Sequence, residues 1–136
     1  MKSSLLTFLS LPAALLLSGP ASAVCTQQDV RGTWITYQSA FIVQEGAHVG
    51  QCRLVVDKAG NVRMDLGSYC EFVTFNTPQI ATEGTFKVNR NCSADINLSV
   101  GGLAAQVQVT RDKQMYAGRF QAQDGAVSGT TSGVRQ

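Results

Sequence analysis

Histidine, tryptophan and proline are scarce in this chain: one His, one Trp and three Pro among 136 residues. Charge is scarce as well, with only 15% of residues Asp, Glu, Lys or Arg. A lone His48 without any Cys-x-x-Cys offers too few ligands for a zinc site, so neither a metal nor a cofactor is expected. The basic residues Arg53, Lys58, Arg63, Lys87, Arg90, Arg111, Lys113 and Arg119 are dispersed. No run of them tracks a phosphate backbone, which argues against a nucleic-acid partner. The apolar run from Leu5 to Leu17, broken by Ser10 and Pro12, falls short of the about 20 residues a membrane span needs. No segment carries a convincing helical period beyond a short turn around Thr26 to Arg31, so no basic amphipathic helix for a membrane surface can be drawn.

What is present starts with a leader pattern. Met1-Lys2, the apolar run and the small residues Ala21-Ser22-Ala23 follow the order of a secretory signal peptide, with cleavage expected after Ala23. Cys25 invites a lipoprotein reading, but Val24 stands where a lipid-attachment box wants a small residue. Residues 24–136 are then one exported domain, periplasmic or secreted, of 113 residues. Without Lys2, ten Lys and Arg face nine Asp and Glu, a nearly neutral balance. All four cysteines, Cys25, Cys52, Cys70 and Cys92, lie in this part, an even number that reads as two structural disulfides of open connectivity.

Beyond Val24 the hydrophobic period is two. In QCRLVVD, residues Cys52, Leu54 and Val56 share one face; KAG turns the chain; NVRMDLG places Val62, Met64 and Leu66 inward. GTFKVN, SADINLSV, LAAQVQVT, MYAGRFQAQ and AVSGTTSGV continue the alternation. Gly101-Gly102 and Asp124-Gly125 are hairpin signals. With GTWITYQ and AFIV this makes eight to ten short strands and turn signals about ten residues apart. The fold class expected is all-β, an up-and-down antiparallel barrel of about eight strands. A sandwich is the alternative. Hairpin-length connections and the small residues Gly118, Gly129, Thr131 and Gly133, which let strands coil, favour the barrel.

Gly32-Thr33-Trp34 at the head of the first strand resembles the G-x-W feature of lipocalin-type barrels, the calycin group that includes avidins and bacterial protease-inhibitor barrels. Gly84 to Val100, GTFKVNRNCSADINLSV, is similar to a hairpin of small exported bacterial lipocalin-like proteins of uncharacterised function. The resemblance implies that Trp34 packs across the closed end of a barrel, a structural role. Avidins stack several Trp residues on their ligand, and here Trp34 stands alone.

Chemistry is thinly marked. His48 reads as a solvated loop residue or as a base or anchor near a barrel mouth. Asp57, Asp65 and Asp95 fall on the outward face by period, while Glu45, Glu71 and Glu83 sit at strand ends or loops, read as solvated charges with a place at a barrel mouth as the alternative. No catalytic residue is assigned. Aromatic residues with polar tips suit an apolar pocket: Tyr37, Tyr69 and Tyr116, with Phe120 and Met64, are the expected ligand contacts, over an interior of Leu54, Val56, Met64, Leu66, Phe86, Val88, Ile96, Leu98, Val107 and Phe120. The expected partner is a small apolar or amphipathic molecule. Two alternatives are an inhibitor of an exported protease acting through VCTQQD or a loop, and a cofactor-independent isomerase or cyclase.

Overall fold

Strict alternation of apolar and polar residues gives each strand a dry and a wet face, and closing the sheet on itself is one way to bury every dry face at once. The computed structural model describes residues 24–42, 45–73 and 76–136; the expected leader, 1–23, lies outside them. A 3-10 turn, Gln27–Val30, precedes ten strands: β1 (Gly32–Ile42), β2 (Gly46–Val56), β3 (Asn61–Val62), β4 (Tyr69–Phe72), β5 (Ile80–Ala81), β6 (Gly84–Val88), β7 (Ser93–Leu98), β8 (Leu103–Val109), β9 (Met115–Ala122) and β10 (Val127–Arg135). Each pairs antiparallel with its neighbours, and β1 pairs with both β10 and β2, so the sheet closes. The fold is a closed up-and-down barrel rather than a sandwich.

The ten strands make eight staves. Val56 opposes Val62, while further along β2 Cys52 opposes Cys70. The summed partner numbers rise by four between these pairs, so four residues are looped out between β3 and β4 without breaking the stave. They are Met64–Gly67: Ser68 N–H donates straight back to Arg63 O at 3.2 Å. The partner stave β5–β6 shows the same offset, Asn61 opposing Thr85 and Cys70 opposing Ile80. This loop overturns the inward placement of Met64 and Leu66. Both ride on a 3-10 turn outside the wall and are 47% and 54% exposed. The rest of the expected interior holds: Leu54, Val56, Phe86, Ile96, Leu98, Val107 and Phe120 are buried, and Val88 packs against them half-buried.

One end of the barrel is solid. Trp34, wholly buried, donates from Nε1 to Val30 O at 2.9 Å, so the 3-10 turn is tied beneath the ring as a lid. Phe86 and Tyr116 meet Trp34 at centroid distances of 5.5 and 5.6 Å, and each other edge-to-face at 5.6 Å. Gly133 makes room for this cluster, since a Cβ there would fall 2.3 Å from Tyr116 Cε1. Gly60 makes room for the lid. Its φ of +80° closes the β2–β3 turn, and a Cβ would collide with Gln27, whose Nε2 donates to Phe86 O.

The cysteines pair Cys25–Cys92 and Cys52–Cys70. The first fastens the lid segment to the β6–β7 turn, where Cys25 N–H also donates to Arg90 O. The second joins directly opposed residues of β2 and β4 and lies inside the barrel, both cysteines fully buried. At the other terminus, Arg135 donates to Asp29 O and Arg31 O, so β10 is bound to the same lid.

Candidate functional site at the open end of the barrel

The strands that leave Trp34 end in a mouth that their side chains do not fill. A cavity of about 360 Å³ opens there. By alternation from Trp34, β1 turns Gln38, Ala40 and Ile42 into it; β2, by alternation from Cys52, turns in Gly50 and His48. Phe72 of β4, Leu103 of β8, and Phe120 and Ala122 of β9 complete an apolar wall. Thr77 closes over Phe72, its hydroxyl accepting from Phe72 N–H at 3.0 Å and donating to Phe72 O at 3.3 Å. Polar groups are few and grouped: Gln38 at the floor, Glu45 and His48 on the β1–β2 side, Gln123 on the opposite rim. None of the described lining residues is Lys or Arg.

Below the floor runs a polar spine. Gln38 Nε2 donates to Thr36 Oγ1 at 2.7 Å, and the Tyr116 hydroxyl hydrogen-bonds with Thr131 and Thr36. Burial pushes the Tyr116 phenol up to about 12, against the pull of those two hydrogen bonds. Gln38 Oε1 lies 3.8 Å from Cys52 Sγ, a disulfide sulfur with no hydrogen to give. On the wall, His48 Nε2 stands 3.4 Å from Glu45 Oε2, with His48 8% exposed.

The chain matches no protein-family model, and no curated protein is significantly similar to it. The closed barrel is compatible with a calycin-like fold, and the site is read from geometry alone.

Of the residues expected at the ligand, Phe120 alone reaches the cavity. Tyr37 lies on the outer face, 51% exposed, because it is an odd step from Trp34. Tyr69 also faces outward, adjacent to the inward Cys70, and Met64 sits on the looped-out turn. Tyr116 is interior but belongs to the solid end, in the cluster with Trp34. His48 is not a solvated loop residue. It is in β2, buried, on the cavity wall. Glu45, for which a place at the mouth was the alternative to a solvated loop charge, does line it. Asp95 is exposed as its period requires, Asp57 is half-buried, and Asp65 is exposed because it rides on the looped-out turn. Gln38 went unnoticed although a signal was available: a residue four steps from an inward Trp on one strand is itself inward. Among the described residues no cluster of metal-ligating side chains forms, and no helix is long and apolar enough to cross a membrane.

Proposed function

We propose that this protein is an exported, lipocalin-like carrier that holds one small, largely apolar molecule in the cavity at the mouth of its barrel. The observation that carries this reading is the asymmetry of the interior. One end is plugged by Trp34, Phe86 and Tyr116, while the other keeps about 360 Å³ with an apolar wall that includes Ala40, Ile42, Phe72, Leu103, Phe120 and Ala122. Small-molecule sites are of this kind: concave, predominantly apolar, of about 300–1,000 Å³, with a few placed polar groups. Two disulfides suit an oxidising compartment, which supports the leader reading of residues 1–23.

The test is titration with N-phenyl-1-naphthylamine, whose emission rises and shifts blue in apolar surroundings. Saturable one-site binding is expected, abolished by Ala122→Trp, which fills the mouth without touching the plug. Absence of saturable binding, or binding indifferent to Ala122→Trp in a variant with unchanged circular dichroism, overturns the proposal.

A second reading, the cofactor-independent isomerase or cyclase, draws support from the His48–Glu45 pair on the same wall. The inhibitor reading loses its N-terminal support, because residues from Cys25 to Val30 are held down by Cys92, Arg90 O and Trp34 rather than projecting.

A further inference from the structure

A cavity lined by hydrocarbon accepts many molecules, so selection falls to the few polar atoms that meet the ligand. Gln38 is the deepest of these, 6% exposed at the cavity floor. Its amide is held by one end: Nε2 donates to Thr36 Oγ1 at 2.7 Å, which fixes the carbonyl end. Among the described residues the hydrogen-bond-range contact of Oε1 is Cys52 Sγ at 3.8 Å, which is bonded to Cys70 and has no hydrogen to donate. The oxygen faces Gly50 across the sheet, 3.2 Å from where a Cβ on that residue would stand. Gly50 itself lines the cavity. The Phe72 ring lies over the same spot, its Cδ1 3.0 Å and its Cε1 3.3 Å from that point, so the acceptor shares the cavity floor with an apolar neighbour.

A buried acceptor left without a donor carries a desolvation cost. A ligand that reaches the cavity floor therefore binds best if it brings a donor of its own. Charge narrows the choice further. No described lining residue is Lys or Arg, and Glu45 stands at the lip, so a carboxylate head finds no cation to replace its hydration apart from what His48 can offer.

We propose that Gln38 Oε1 is a specificity-determining acceptor, and that the ligand class is a neutral alcohol or phenol on a short apolar body, entering hydroxyl first. This rests on the carrier reading of the same cavity.

Calorimetric titration of the full chain at pH 8 with propylbenzene, 4-propylphenol and 4-propylbenzoate tests it, the three ligands differing only in the group that would meet Gln38. Burial of hydrocarbon alone ranks propylbenzene first, because the phenol surrenders more hydration. Donor recognition ranks 4-propylphenol first, tighter than propylbenzene by roughly three- to tenfold, the range a net neutral hydrogen bond supplies, with the benzoate weakest. In Gln38→Met the preference for the phenol is lost while propylbenzene affinity holds. If propylbenzene binds as well as the phenol to the unaltered protein, the role of Gln38 is overturned and the carrier reading stands. If the benzoate binds tightest, the donor class is overturned in favour of an anion. If none of the three binds, both proposals fall. The ranking in the unaltered protein decides the matter even where Gln38→Met folds poorly.

Discussion

At the scale of single residues, position along β1 decides role. Trp34, Thr36, Gln38 and Ala40 descend one face from plug to cavity, and the odd positions between them face water. Trp34 fills the closed end and caps Val30 O, so Trp34→Ala leaves both a void and a buried carbonyl without its donor. The expected cost is about 3–5 kcal/mol, enough to unfold much of a domain whose total stability is about 5–15 kcal/mol; a urea midpoint unchanged from the parent would contradict the plug role. Tyr116 makes a prediction about pH. Burial holds its phenol neutral, up to about 12, whereas an unfolded tyrosine titrates near about 10. The folded state thus keeps its proton longer, so this contribution to stability is whole below about pH 10 and drains away as pH rises toward 12. Tyr116→Phe should lose about 1 kcal/mol at pH 8 through its missing hydrogen bonds. It should close that gap or overtake the parent at pH 11. A gap that stays constant from pH 8 to 11 in urea titrations removes the argument.

Among the elements, the β3–β4 stave is the informative one. NVRMDLG reads as a strand because Val62, Met64 and Leu66 alternate with charged residues, and a local pattern carries no mark of which part pairs. Only registration against β2 and β6 reveals that Met64–Gly67 lies outside the wall, where Arg53 donates to Leu66 O and Gly67 O. Excising Met64–Gly67 joins Arg63 to Ser68 in one continuous register. The expected outcome is a folded barrel within about 1 kcal/mol of the parent, since only exposed contacts are lost. A collapse of near-ultraviolet circular dichroism in the shortened chain would show that the turn belongs to the wall after all.

For the molecule as a whole, the lid at the closed end is joined to distant parts of the chain. Cys25–Cys92 spans a sequence separation of 67 and Cys52–Cys70 one of 18. Chain-entropy arguments put these at about 4 and about 3 kcal/mol. All four cysteines are buried, so the voids left by alanine are comparable. Cys25→Ala with Cys92→Ala should therefore lower the denaturation midpoint more than Cys52→Ala with Cys70→Ala; the reverse order would mean that the interior bridge is the stronger restraint. Lys113 adds to the same closure by pairing with Asp29 at 3.1 Å. Burial works to raise the Asp29 carboxyl, but hydrogen bonds from Thr26 and Lys113 outweigh it and hold it below the ordinary carboxylate range.

Sequence alone determined the class of this fold, because period-two burial, turn residues and short connections are local properties that each segment carries by itself. It also determined which faces are dry wherever a strand is unbroken: an inward Trp34 already requires Thr36, Gln38 and Ala40 inside and Tyr37 outside. The expectation placed on Tyr37 went against that parity by weighing its chemistry above its place in the strand. Other properties belong to the closed barrel only. The pairing of the four cysteines, the looped-out Met64–Gly67 and the separation of Tyr116 from the cavity depend on which strands end up side by side, which no single segment records. The cavity is of the same kind. It is the volume left where eight staves meet with Gly50 and Ala122 in the wall rather than larger side chains, and a volume of that sort exists only after every strand has taken its place.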